Sequence, residues 1–134
     1  ILMGCAQILS VYWLAHAQRF DISRNMDSFE ALDALSALAQ QTRLAAFRLL
    51  VRHEPEGLPA GEIAQALEVP ANTLSSHLAI LTRARLVTAE RQSRTIRYRA
   101  DLAGLRGLMI YLAKDCCAGN AELCRPLLAE LDCC

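Results

Sequence analysis

The 134-residue chain has few aromatic residues: one Trp, three Tyr and three Phe. β-branched residues are also sparse, while Leu and Ala dominate. That balance argues against an extended sheet and for helices. No stretch reads as a membrane span, because the apolar opening "ILMGCAQILSVYWLAHAQ" is short and broken by Gly4, Gln7, Ser10 and His16. Nor does it read as a signal peptide, since its first basic residue, Arg19, follows the apolar stretch instead of preceding it. There is no Cys-x-x-Cys, and the residues six after Cys116 and Cys117 are Glu122 and Leu123, not Arg. A thiol reductase with either of those arrangements is therefore excluded, and no enzyme is expected. A disulfide scaffold is disfavoured too. Five of the six cysteines crowd into the last nineteen residues instead of stapling distant loops.

What the chain does have is enough apolar content for a core, 54%, with a formal net charge of zero. The charge is uneven. Seven of the fourteen basic residues lie between Arg83 and Arg106, against Glu90 and Asp101 in the same stretch, and all but one of the fourteen are Arg. Such a density of arginine points towards nucleic acid.

The elements follow from spacing. Met26 precedes a helix start in which Asp27 and Glu30 form a capping box. Phe29, Leu32, Leu35 and Leu38 then repeat at helical intervals. A second helix is expected over about Thr42 to His53, with Leu44, Phe47, Leu50 and Val51 inward, ended by Pro55 and Gly57. Two short helices follow around the turn Glu68-Val69-Pro70. The first carries Ile63, Ala64 and Leu67, and the second buries Leu74, Leu78 and Leu81; this is a helix-turn-helix plan. Beyond Leu86 the period drops to two. Ile96, Tyr98 and Ala100 alternate with Thr95, Arg97 and Arg99, and with Val87, Ala89 and Arg91 they predict a hairpin turning at Gln92-Ser93. Asp101 opens a last helix with one stripe at Leu102, Leu105, Leu108, Met109 and Leu112. Further apolar surface at Ile110, Tyr111 and Ala113 asks for a second partner, a second copy of the chain. The fold class is mainly α with a β-hairpin wing, a winged helix-turn-helix.

Three segments, residues 37–50, 61–87 and 95–108, together with Thr73, Ser75, His77, Leu78 and Leu81, resemble the ArsR/SmtB family of metalloregulatory repressors. The resemblance spans roughly residues 28–124. It implies an operator-binding homodimer in the cytoplasm, without membrane contact. It divides the chain into an apolar extension (1–25), a DNA-binding and dimerisation domain (26–118) and a cysteine-containing C-terminal segment (119–134). Base edges would be met by Asn72, Thr73, Ser75, Ser76 and His77 on the recognition helix. Arg91, Arg94 and Arg97 of the wing would meet phosphates. Two sensing sites of the family are missing. The Cys-x-Cys pair of many arsenic and cadmium sensors falls on Pro59 and Gly61, and the last helix lacks the His ligands of zinc sensors.

What remains is "DCCAGNAELC". Some arsenic-sensing members carry a similar stretch, which implies that Cys116, Cys117 and Cys124 bind trivalent arsenic or antimony and release the operator. Three thiolates suit a pyramidal soft ion, whereas structural zinc takes four ligands, with Cys133 or Cys134 available as a fourth. On an unbroken helix Cys117 and Cys124 would lie about 10 Å apart along the axis. The helix is therefore expected to break between them, at Gly119 and Asn120, with Arg125-Pro126 discouraging helix at Arg125. The alternatives are a thiol-redox regulator on the same fold and a zinc- or cadmium-sensing member of the family.

Overall fold

The computed structural model describes residues 26–116 and 120–131. The extension 1–25, Cys117, Cys133 and Cys134 lie outside the described residues, as does the side chain of Cys116. The chain divides into two compact units. One is Met26–Met109; the described residues from Ile110 onward belong to the other.

In the first unit α1 (Ser28–Leu38) starts on the expected capping box: the Asp27 carboxylate accepts from the Glu30 amide at 2.8 Å, and the Glu30 carboxylate accepts from the Asp27 amide at 3.1 Å. The Phe29–Leu32–Leu35 repeat marks this helix without marking its inner face. Ala31, Ala34 and Ala37 are buried, while Phe29 is 77% and Leu32 62% exposed. Alanines allow α1 to lie close on its neighbours, which leaves the large residues outside.

Helix α2 (Gln41–Arg52) is capped by Gln40, whose side chain accepts from the Arg43 amide, and buries Ala46, Phe47 and Leu50. Leu44, expected inward, is exposed instead, because Ala46 and Leu50 set the packed face one residue round the helix.

Strand β1 (Leu58–Pro59) is only two residues long, and periodicity did not announce it. It pairs with β3 at Leu58↔Tyr98, placing β3 in the middle of a three-stranded antiparallel sheet ordered β1-β3-β2. Helices α3 (Ala60–Leu67) and α4 (Ala71–Arg83) form the helix-turn-helix. Glu68 ends α3 in the left-handed region at φ 54°, and the Val69 amide returns to the Ala64 carbonyl. Ile63, Leu74, Leu78 and Leu81 are fully buried, each contributing about 1.5–3 kcal/mol by burial.

The hairpin of β2 (Val87–Gln92) and β3 (Thr95–Ala100) pairs in register from Val87↔Ala100 to Gln92↔Thr95. Its two-residue turn is Ser93-Arg94, one residue beyond the expected position. Ser93 adopts φ 57°, so a serine takes the left-handed conformation for which glycine is the usual signal.

Helix α5 (Leu102–Cys116) runs from the first unit into the second. Asp101 caps it by accepting from the Gly104 amide. Gly104 is buried; a Cβ there would overlap the Arg85 carbonyl. In the second unit Asn120 caps α6 (Ala121–Leu131), its side chain accepting from the Glu122 amide at 3.0 Å. The expectation that Arg125-Pro126 would discourage helix does not hold, because both lie inside α6. Pro126 removes one backbone donor. The Asn120 cap and the helical spacing of Leu123, Leu127, Leu128 and Leu131 favour the helix all the same. Among the described residues no helix is long and apolar enough to cross a membrane.

Candidate nucleic-acid interface and cysteine segment

Burial of Leu74, Leu78 and Leu81 fixes the rotation of α4, so the opposite face turns to solvent. Asn72, Thr73, Ser75, Ser76, Ala79 and Arg83 all lie exposed on it. The hydroxyls of Ser75 and Ser76 donate to the carbonyls of Ala71 and Asn72, at 3.0 and 3.4 Å. Their oxygens remain acceptors. Pro70 offers no capping side chain at the start of α4, and the Thr73 amide donates instead to Oδ1 of Asn72 at 2.9 Å. An open groove of about 590 Å³ runs between α4 and the wing, lined by Ser75, Ser76, Ala79, Arg83, Ala89 and Tyr98. Arg83 adds a cation to this surface that motif reading missed. Its signal was its spacing, seven and eight residues after Ser76 and Ser75.

His77 is placed differently from its neighbours. It is half-buried, and its Nδ1 lies 3.5 Å from Nη1 of Arg43. Arg43 also donates through Nε to the Ala37 carbonyl and through Nη2 to that of Ser36. It therefore joins the end of α1, the start of α2 and the middle of α4. Sequence reading did not single it out, because an Arg in the first turn of a helix looks solvated.

The wing arginines divide into two kinds. Arg91 and Arg94 are exposed on the outer strand and tip; Nε of Arg91 donates to the Ser93 carbonyl at 3.3 Å. Arg97 is half-buried and commits Nη1 to the Gly57 carbonyl at 3.0 Å, and Nε to the Gln92 side chain. Next to it, Arg99 pairs with Glu54 at 3.0 Å, and the other Glu54 oxygen accepts from the Ala100 amide. Gly57 stands at φ 67°, where a Cβ would overlap the Tyr98 carbonyl. Together these contacts fasten the base of the wing to the loop after α2.

In the second unit α5 ends at Cys116 and α6 begins at Ala121, so the helix is interrupted between Cys116 and Cys124. Cys124 is half-buried and disulfide-bonded. Its partner is among cysteines whose side chains lie outside the described residues, and Cys117 lies outside them altogether. Among the described residues no group of three His, Cys, Asp or Glu side chains is placed to hold a metal.

A helix-turn-helix with an exposed polar face, flanked by an arginine-bearing hairpin, defines a winged helix-turn-helix DNA-binding domain. A model of the helix-turn-helix domain matches residues 38–90. The transcriptional activator HlyU of Vibrio cholerae serotype O1 is 30% identical over 94 residues, 70% of this chain and 84% of that protein. The chain belongs to the ArsR/HlyU type of winged helix-turn-helix transcriptional regulators. Among solved structures it is similar to an ArsR-like transcriptional regulator from Rhodococcus sp. RHA1, with 30% identity and a TM-score of 0.59 over 75% of this chain and 88% of that one. It is also similar to a possible transcriptional regulator for arsenical resistance, with 30% identity and a TM-score of 0.54 over 61% of this chain and 82% of that one.

Proposed function

We propose that this regulator is a homodimeric repressor whose grip on operator DNA is set by thiol chemistry at Cys116, Cys117 and Cys124, with trivalent arsenic, or antimony, as the ligand. The observation that carries the reading is the interruption between α5 and α6, since a continuous helix would hold Cys124 away from the pair. A similar fold in a protein named for arsenical resistance adds weight. Reduced, the three cysteines offer a complete pyramidal set; zinc, cadmium and other soft ions compete for the same donors.

The dimer half of the reading rests on apolar surface. Phe29, Leu32 and Leu35 of α1 are exposed, as are Leu102 and Met109 of α5, and large side chains left in water are what a second copy would cover. Leu108 is buried and drops out of the candidates for that contact.

The disulfide at Cys124 favours a second reading, in which oxidation of Cys124 with another thiol of the chain is itself the signal. In that case two thiols lose two protons and two electrons to a peroxide-class oxidant to form the bond. Fluorescence anisotropy on a labelled operator separates the two. Arsenite added to fully reduced protein should release DNA with all thiols recoverable after chelation by a dithiol. Release by peroxide alone, with arsenite inert, would replace the arsenic reading by the redox one.

A further inference from the structure

Arg43 occupies a position that neither a phosphate contact nor a simple surface charge explains. Two of its nitrogens are spent on the Ser36 and Ala37 carbonyls, in the last turn of α1, where backbone acceptors lack partners within the helix. A cation there is favourable, because the carbonyl ends of the helix dipole point at it. Its own backbone amide is held by the Gln40 side chain at 2.8 Å, so the root of the side chain is fixed as well. The remaining nitrogen, Nη1, faces Nδ1 of His77 at 3.5 Å.

A guanidinium has donors only. Facing it, Nδ1 of His77 must be the acceptor, which puts the ring proton of the neutral imidazole on Nε2, the nitrogen on the far side of the ring. His77 lies between the buried Leu74 and Leu78 and the exposed Ser76 and Ala79 on α4. Its ring orientation therefore decides whether a donor is offered at the edge of the recognition face. A second contact works in the same sense. Arg85, just past α4, pairs with Glu30 of α1 at 3.4 Å. The small residues Ser36 and Ala37 lie beside Ile80 and Arg83 along the same seam. Helix α1 is thus tied to the recognition helix at its middle and beyond its end.

We propose that Arg43 is a positioning residue for DNA recognition. Anchored on the end of α1, it acts through His77, holding the imidazole with Nε2–H available and setting the rotation of α4 against α1. Arg43 itself does not touch DNA. The inference rests on the DNA-binding part of the reading above and is independent of its thiol part, so arsenite is left out of the test and the protein is kept reduced.

The test is a double-mutant cycle on the full chain with Arg43→Ala, His77→Ala and the pair. The probes are a duplex selected from a randomised pool by the wild-type protein and a shuffled duplex of the same composition. Each single change should weaken the selected duplex about tenfold, the worth of one hydrogen bond to a charged group. The double variant should be no weaker than the weaker single. Binding to the shuffled duplex, and its salt dependence, should stay as in wild type. If Arg43→Ala melts below the assay temperature, Arg43→Lys takes its place in the cycle; a lysine has no fork with which to hold two carbonyls and an imidazole at once. Multiplying losses in the double variant would overturn the proposal, as would unchanged affinity in the single variants. So would equal weakening on both duplexes with a flatter salt slope, which would make Arg43 a phosphate contact.

Discussion

Arginines three residues apart in sequence carry different loads in this domain. Arg94 at the wing tip is exposed, whereas Arg97 is committed to the Gly57 carbonyl and the Gln92 side chain. Arg94→Ala should therefore weaken binding to every duplex alike and reduce the salt slope of log K by about one, with the melting temperature unchanged. Arg97→Ala should lower the melting temperature by about 4–8 °C, the effect of losing about 1 kcal/mol in a domain of this size. Calorimetry beside a salt titration of affinity distinguishes them, and identical behaviour of the two variants would refute the division. Gly104 makes a separate prediction. A Cβ there meets the Arg85 carbonyl, so Gly104→Ala should destabilise by about 1–3 kcal/mol, read from urea unfolding. The sequence showed that this stretch was basic. It did not show which arginines were already engaged, because that depends on how the loop at Glu56 and Gly57 folds against β3.

At the scale of elements the largest surprise is which side of α1 is buried. A repeat of Phe29, Leu32 and Leu35 correctly announced a helix. Spacing reports that a face is apolar, though, not whether its partner is the same chain or another, and here an alanine face took the inside. The helix-turn-helix was legible almost residue by residue, since Leu74, Leu78 and Leu81 had one core to enter. Two features were hidden for local reasons. Strand β1 is too short to show a period, and Pro126 read as a helix breaker although a capped, amphipathic segment surrounds it. The exposed faces of α1 and α5 lead to a further prediction. Leu32→Glu and Met109→Glu each place a charge on surface that is already solvent-exposed within one chain. Each variant should keep its helical circular dichroism yet sediment as a monomer at micromolar concentration, with operator affinity lost. A wild-type protein that sediments as a monomer under the same conditions would remove the dimer from the account.

For the whole molecule, the question is whether events at the cysteine segment reach the DNA-binding face. A ligand moves an equilibrium only by its differential affinity, and passing from almost fully bound to almost fully released takes about 5.5 kcal/mol. Bonds from three thiolates to a soft ion are of a strength to supply it, and serine removes one such bond at small steric cost. The most direct measurement is arsenite-driven release of a labelled operator from the reduced wild-type protein and from Cys116→Ser, Cys117→Ser and Cys124→Ser, with the Cys133 and Cys134 double variant alongside. The account predicts that all five proteins bind the operator, that the wild type and the terminal double variant release it, and that each of the three single variants holds it when arsenite is added. Release by all three single variants at the wild-type arsenite concentration would contradict the account and place the effector site elsewhere in the chain.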